Sequence, residues 1–90
     1  MRLDVFLQRS RLIRRRSQSK LFCDAGAVQV NGKAAKGSKP VRVGDRVRVA
    51  FWNRNVEVVV TELVERAGQR GAPSHLAFEV VLEERKDPLQ

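Results

Sequence analysis

The chain has 90 residues, enough for one small domain with a modest core, and a formal net charge of +8. Its single cysteine excludes an internal disulfide, and the start of the chain lacks a signal-peptide pattern, so we expect a cytoplasmic protein. No apolar stretch could span a bilayer, and the basic segment lacks the aromatic apolar face of a membrane-binding helix; we therefore expect no membrane partner.

The positive charge is concentrated in the first half of the chain. Residues 1–50 hold 13 basic and 3 acidic side chains, whereas residues 51–90 hold 5 basic and 7 acidic ones. Six basic residues follow one another without an acidic residue among them: Arg9, Arg11, Arg14, Arg15, Arg16 and Lys20. Because guanidinium groups fit phosphates and stack on bases, the first half is expected to meet a nucleic acid and the second half to support it.

Two helices are predicted at the beginning of the chain. The first carries Leu3, Phe6 and Leu7 at helical spacing, has an acidic residue in its first turn and ends near Ser10. The second runs from about Arg15 to Ala25, and the glycine that follows favours a helix stop. Its packed stripe is predicted to comprise Ser17, Leu21 and Ala25 with Phe22 beside it, while Arg16 and Lys20 share the opposite face.

Short strands follow the helices. Val28 and Val30 predict a half-buried strand, and Asn31-Gly32 is a strong signal for a two-residue hairpin turn. Residues 33–40 are expected to form a polar loop. Alternation over residues 46–49 then predicts a strand with valines on its inner face and arginines on its outer face.

The second half predicts a pair of longer strands. The inner face is assigned to Val56, Val58, Val60 and Leu63 in one strand and to Phe78, Val80 and Leu82 in the other. Residues 66–75 are interpreted as a mobile loop and residues 84–90 as a frayed tail. Trp52 could stack on a base, but packing at the edge of the core is favoured.

Together these segments resemble the RNA-binding domain of the S-four type, the αL motif. The matching residues span about positions 1–50: Met1-Arg2-Leu3-Asp4, Phe6-Leu7, Arg11-Leu12, Arg15-Arg16, Gly26-x-Val28-x-Val30-Asn31-Gly32 and Val43-Gly44-Asp45-x-Val47. The resemblance implies an α+β fold in which two N-terminal helices pack on a small, mostly antiparallel sheet with a C-terminal β-hairpin extension. We expect an RNA-binding core over residues 1–50, a β extension over 51–84 and a flexible tail over 85–90.

Within that family the short chain resembles the small bacterial quality-control factors of the RqcP group, and also the fifteen-kilodalton ribosome-associated heat-shock proteins. The resemblance implies binding to obstructed large ribosomal subunits, with contacts to large-subunit rRNA and peptidyl-tRNA. It also implies an RqcH-type tailing factor as partner, which adds alanine to the stalled nascent chain. Nothing in the sequence indicates more than a monomer.

The candidate RNA contacts come from several patterns. The acid-free run supplies most of them, and Arg2 and Arg16 match family positions that touch RNA. Arg11 fits bracing of the connector between the helices equally well, and Asn31 is more often a plain turn residue than a contact. The complete candidate set is Arg2, Arg11, Arg14, Arg15, Arg16, Lys20, Asn31 and Lys33.

Catalysis and cofactor binding are not indicated. There is no nucleophile–base pair or cofactor loop, so we predict no catalytic residue and no cofactor. His75 has no second histidine, cysteine pair or carboxylate at ligand spacing, which argues against a metal site. Cys23 is interpreted as a small packing residue, although Lys20 one turn away could make it mildly reactive.

Three alternatives to the quality-control function share parts of this pattern. A ribosome assembly factor or a heat-shock-type ribosome-binding protein would have the same fold and most of the same surface. A helix-turn-helix DNA-binding protein is less favoured, because the second helix carries few base-reading side chains besides Gln18.

Overall fold

The computed structural model describes residues 1–64 and 75–85, which form two helices and five strands. The helices are α1 (Leu3–Arg9) and α2 (Arg16–Asp24). The strands are β1 (Val28–Val30), β2 (Lys33–Ala34), β3 (Arg46–Ala50), β4 (Arg54–Val64) and β5 (His75–Arg85). They pair antiparallel in the order β2-β1-β3-β4-β5, which confirms the predicted α+β fold and its C-terminal hairpin.

Two sequence predictions concern residues outside the ranges that the structure describes. The mobile loop expected over residues 66–75 and the tail expected over 84–90 fall mainly on residues 65–74 and 86–90, which lie outside the described residues. Residues 84 and 85 are the last two of β5. Within the described ranges, neither helix is long and apolar enough to cross a membrane.

The core lies between α1 and the inner face of the sheet. Leu3, Phe6 and Leu7 of α1 are fully buried against alternating valines of β1, β3 and β4. The ring of Phe6 meets the ring of Phe78 on β5 edge to face, with centroids 6.3 Å apart. The predicted alternation of inward valines and outward polar residues is confirmed in β3 and in β4 as far as Val60.

The predicted packed stripe of α2 is wrong in phase. Ser19 and Cys23, four residues apart, are the buried residues of this helix, whereas Ser17 and Ala25 are exposed. Leu21 is 65% exposed. Leu21 is a larger apolar residue, but the small side chains of Ser19 and Cys23 occupy the helix face that meets the core.

The hairpin predicted at Asn31-Gly32 is confirmed. Both residues have positive φ, 53° and 85°, as a type I′ turn requires. Val30 and Lys33 pair across this turn. The polar loop predicted from residue 33 is therefore wrong at its start, since Lys33 and Ala34 form β2 and the next residue, Ala35, is buried.

Register shifts in the β4–β5 hairpin change which side chains face inward. A shift between Val60 and Glu62 allows Leu63 to contact the core, although strict alternation would turn it outward. A second shift lies beside Val58, so that Val58 pairs with Val80 while Glu57 pairs with Leu82. Since directly opposed residues share a face, Leu82 leaves the inner face that was predicted for it. The inner position predicted for Val80 is also wrong, since Val80 is 51% exposed and only Phe78 of these three residues packs against the core.

Trp52 does not pack at the edge of the core, contrary to the prediction. It is 79% exposed in the turn between β3 and β4. The neighbouring Phe51 makes the aromatic contact instead, against Phe22 of α2, with ring centroids 5.7 Å apart.

The burial of the sheet yields a matched test. Val58→Ala, at a fully buried position, should lower the free energy of unfolding by about 2–3 kcal/mol through lost burial and a cavity. Val43→Ala, at a position that is 58% exposed, should change it by no more than about 0.5 kcal/mol. Urea denaturation followed by circular dichroism measures both, and equal losses would contradict this assignment of the core.

Candidate RNA-binding surface

A first basic depression forms where the start of α1 meets α2. It is lined by Arg2, Asp4, Arg16, Ser17 and Lys20. Arg2 Nη2 lies 3.1 Å from Asp4 Oδ2, and Asp4 is almost fully buried while about half of the Arg2 side chain is exposed. The fold thus brings together three candidate cations that are separated in sequence by up to 18 positions.

Backbone hydrogen bonds fix the strand-like segment that carries Arg2. Leu3 N–H donates to Lys39 O at 2.8 Å, and Val41 N–H donates to Met1 O at 2.8 Å. Arg2 forms an isolated antiparallel bridge with Pro40 between these two bonds. The backbone of Arg2 is therefore held by residues 39–41, and its guanidinium is held by Asp4.

A second basic depression lies at the end of α1. Its lining residues are Gln8, Arg9, Arg11 and Arg14. Arg9 was part of the acid-free run but not of the candidate set, and nothing in the sequence pointed to Gln8. The fold therefore groups Arg11 and Arg14 with two residues that were not predicted as contacts.

Arg11 adopts a backbone conformation that arginine rarely takes. Its φ is 64°, in the left-handed region that favours glycine, and its N–H donates to Gln8 O at 3.1 Å as α1 ends. The side chain is exposed and has no hydrogen bond or ion pair within the part of the chain that is described. The backbone of Arg11, not its side chain, braces the connector between the helices, so the guanidinium is available to bind a ligand.

Arg15 stands at the N-cap of α2 with extended backbone angles. Its carbonyl oxygen accepts hydrogen bonds from Ser19 N–H at 3.0 Å and Ser19 Oγ at 3.3 Å. The arginine side chain is exposed. These hydrogen bonds fix the start of α2. Arg15 lies in sequence between Arg14 of the second depression and Arg16 of the first, so the basic residues are continuous from one depression to the other.

Acidic partners neutralise three arginines of the sheet, two on the outer face of β3 and one at the start of β4. Three cross-strand pairs lie within 4.0 Å: Arg46 with Glu57 at 3.6 Å, Arg48 with Glu84 at 4.0 Å and Arg54 with Glu83 at 3.9 Å. The arginines predicted for the outer face of β3 are thus present, but neighbouring glutamates neutralise their charge. Such exposed pairs contribute little to stability, yet they reduce the net potential of the sheet.

The helical cations have no such compensation. Among residues 1–64 and 75–85, no ion pair involves Arg9, Arg11, Arg14, Arg15, Arg16 or Lys20. All six are exposed or nearly so. Like charges at this density repel one another, so a bound polyanion would relieve a repulsion that the fold leaves in place.

Asn31 and Lys33 lie apart from both depressions, in the β1–β2 hairpin. The Asn31 side chain is engaged on both sides: Nδ2 donates to Asp45 Oδ1 at 3.1 Å, and Oδ1 accepts from Arg46 N–H at 3.0 Å. Asp45 Oδ2 in turn accepts from Arg42 N–H at 2.9 Å. Asn31 therefore joins two turns of the sheet, and Lys33 remains exposed beside it.

The described residues contain no group of three or more histidine, cysteine or acidic residues arranged to hold a metal ion. Cys23 is buried, and this burial, reinforced by the nearby Asp4 and Asp24 carboxylates, raises the pKa of its thiol to about 11. The mild reactivity predicted from Lys20 is therefore wrong, because desolvation and negative neighbours disfavour the thiolate.

Comparison with known proteins shows which family the chain matches. The S4 domain model matches residues 1–47. An "RQC P-site tRNA stabilizing factor" of Bacillus subtilis is 48% identical over 70% of this chain and 73% of its own length. A protein of the same name from Halalkalibacterium halodurans is 39% identical over 93% of each chain.

A solved structure shows the same fold. Heat Shock Protein 15 of Vibrio cholerae, described as trimeric, superposes with a TM-score of 0.65 at 25% sequence identity. The match covers 86% of this chain and 81% of that one. The helices and antiparallel sheet described above are thus found in an experimentally determined relative.

The raised pKa of Cys23 predicts a pH dependence of stability. The folded thiol holds its proton more tightly than the unfolded one, so its contribution to stability is complete below pH 9 and is lost as pH rises toward about 11. At pH 8 the folded chain should react with a thiol reagent about a hundredfold more slowly than the urea-unfolded chain, from the pKa difference alone. Stopped-flow absorbance measures this rate.

The variant Cys23→Ala provides the control for the pH dependence. Urea denaturation of both chains at pH 8 and pH 10.5 isolates the contribution of the thiol, because the two chains share every other ionisable group. We expect a smaller loss of stability in Cys23→Ala than in the parent chain. Equal losses would show that the thiol is not the titrating group.

Proposed function

This chain belongs to the S4 domain family, and on that premise we propose that it is a non-catalytic RNA-binding factor of ribosome-associated quality control. The S4 domain family is a family of RNA-binding domains, and the two relatives are named for stabilising tRNA in the P site. Their similarity extends over most of this chain, including the second half in the H. halodurans protein. We therefore assign the chain an RNA ligand and no reaction.

The observation that carries the proposal is the unneutralised cluster on the helices. Two basic depressions lie on either side of the start of α2, whereas the arginines of the sheet are paired with glutamates. RNA phosphates would supply the missing anions, releasing counterions as they bind. We propose that residues 1–50 carry this affinity and that residues 51–84 complete the sheet that supports it.

The finer part of the proposal concerns what the two depressions contact. Since each is lined by cations from different segments, one surface can hold two RNA segments at once, and we assign these to large-subunit rRNA and peptidyl-tRNA. The names of the relatives support the tRNA assignment, because both include P-site tRNA. The candidate contacts remain Arg2, Arg11, Arg14, Arg15, Arg16, Lys20, Asn31 and Lys33.

The proposed function includes a protein partner, a tailing factor of the RqcH type. By holding peptidyl-tRNA on the obstructed large subunit, the chain would keep the substrate in place for an RqcH-type factor that adds alanine to the nascent chain. We propose that it acts as a monomer. Light scattering would distinguish this from the trimer described for the V. cholerae relative.

A second candidate is a heat-shock-type ribosome-binding role, favoured by the structural match to Heat Shock Protein 15. A sucrose gradient of cell extract, probed for this protein and for peptidyl-tRNA, tests binding to obstructed subunits against an assembly role. Co-migration with free large subunits that carry peptidyl-tRNA supports binding to obstructed subunits, which the quality-control and the heat-shock-type roles share. Co-migration with immature, tRNA-free particles would instead indicate an assembly factor.

Charge reversal at Arg16 tests the helical surface. Arg16→Glu should abolish association with large subunits, because it replaces a cation in the first depression by an anion, and the circular dichroism spectrum should not change. Co-sedimentation through a sucrose cushion measures the association. Retention of binding by a folded Arg16→Glu chain would exclude this depression as the RNA contact.

A matched pair refines the same test. Arg16→Gln removes an uncompensated cation, and Arg46→Gln removes one that is paired with Glu57. Arg16→Gln should therefore reduce the slope of log affinity against log salt by roughly 0.7–0.9, the value for one phosphate contact, and Arg46→Gln should leave it nearly unchanged.

Replacing Arg11 by glycine separates stability from binding. Arg11→Gly relieves the left-handed backbone, so the free energy of unfolding should stay the same or rise by up to about 1 kcal/mol. The affinity for RNA should nevertheless fall several-fold with the loss of one cation. Urea denaturation and fluorescence anisotropy of labelled RNA measure the two effects, and unchanged RNA affinity would remove Arg11 from the interface.

A further inference from the structure

The turn between β3 and β4 presents an exposed indole. Trp52 is 79% exposed, which is more than any other large apolar side chain among the described residues. Tryptophan carries a large apolar area, and leaving it in water forgoes the stabilisation that burial would provide. The helical surface considered so far makes no use of this side chain.

The turn that carries Trp52 is held from both sides. Ala50 and Asn55 pair at the ends of β3 and β4, and Phe51 N–H donates to Arg54 O at 2.8 Å. The guanidinium of Arg54 lies over the ring of Phe51, 5.0 Å from its centroid. Because the backbone on both sides of Trp52 is fixed, a ligand that binds the indole orders little additional chain.

The same turn is attached to the C-terminal part of α2. The ring of Phe51 contacts the ring of Phe22, and Ala50 N–H donates to Ala27 O at 2.8 Å. Phe22 follows Arg16 by six residues, which is about 9 Å along a helix. Trp52 therefore lies at the end of the helix whose beginning carries the basic cluster.

We propose that Trp52 is a stacking platform for an unpaired nucleobase of the RNA held by the helical surface. The proposal rests on the proposed RNA-binding function and adds a site to it. An exposed indole stacks on any base, and the adjacent Arg54 and Asn53 supply a cation and an amide at its border. A base inside a duplex is already stacked on both faces, so the site selects single-stranded nucleotides.

The local charges favour RNA over an apolar protein partner. Arg54 is paired with Glu83 at 3.9 Å, but this exposed pair is weak and leaves about half of the arginine side chain accessible to a ligand. A protein interface built on Trp52 would require a broader apolar patch, but the residues that follow it, Asn53 and Arg54, are polar and exposed. An isolated aromatic side chain bordered by a cation fits a nucleotide.

The chain itself provides the probe, since Trp52 is its single tryptophan and it has no tyrosine. Two RNAs are compared: a blunt duplex, and the same duplex with a single-stranded 3′ extension. Trp52 fluorescence should be quenched by the extended RNA and not by the blunt duplex. Anisotropy of the labelled RNAs gives the affinities in parallel.

Substitutions at the same position supply the controls. Trp52→Ala should bind the extended RNA about 5- to 100-fold more weakly, whereas Trp52→Phe, which keeps a stacking face, should lose no more than about 3-fold. Both variants should bind the blunt duplex as the parent chain does. Because the side chain is exposed, circular dichroism should show an unchanged fold.

The outcomes separate this inference from the function on which it rests. If the extended RNA binds without quenching Trp52, or binds Trp52→Ala as tightly as the parent chain, the stacking site is wrong and the helical surface stands. If neither RNA binds the parent chain, the proposed function and the stacking site both fail. Quenching together with a selective loss in Trp52→Ala establishes the site.

Discussion

The buried carboxylate of Asp4 joins the segments on which the basic surface depends. Its backbone N–H donates to Gly37 O at 3.1 Å, and its Oδ2 receives the guanidinium of Arg2. Gly37 approaches so closely that a Cβ there would lie 3.1 Å from the Asp4 Cβ. A buried charge is tolerated only when it is paired and hydrogen-bonded, so Asp4 holds Arg2 beside Arg16 and Lys20 instead of leaving it free in solvent.

The second constraint is the separation of compensated from uncompensated charge. Two arginines lie on the outer face of β3 and a third begins β4, but β4 and β5 place a glutamate within 4.0 Å of each of Arg46, Arg48 and Arg54. Glutamates of the second half of the chain thus neutralise these arginines of the sheet. Among the described residues, the six basic side chains of the acid-free run have no such partner, so we expect a polyanion to bind there.

Local patterns predicted the elements well and the contacts between them poorly. The hairpin at Asn31-Gly32 follows from two positive φ values that few other residue pairs accept, so it was readable from the sequence. The phase of α2 was not, because Leu21 is the larger apolar residue while Ser19 and Cys23 face the core. Tertiary packing decides which of these faces is buried, and the sequence of a nine-residue helix does not indicate it.

Long-range register explains what else could not be predicted. The pairs of Arg48 and Arg54 with glutamates of β5 depend on a register shift beside Val58 that alternation cannot reveal. The basic candidates were predictable as a group, since an acid-free run is visible in any reading of the chain. Their division into two depressions could not be predicted from the sequence. Arg2 lies beside Arg16 because the backbone bridge between Arg2 and Pro40 holds the first residues of the chain in place.

The two kinds of contact proposed for this chain differ in what they recognise. Phosphates are present on paired and unpaired RNA alike, so the helical cations provide affinity that depends on salt and carries little structural information. Stacking on Trp52 depends on an accessible base face and only weakly on salt, so it distinguishes single strands from duplexes. With both sites attached to α2, the tightest ligand is a junction in which a backbone crosses the cations and the next unpaired base reaches the indole. Folded RNAs such as tRNA and rRNA offer such junctions, and a uniform duplex does not.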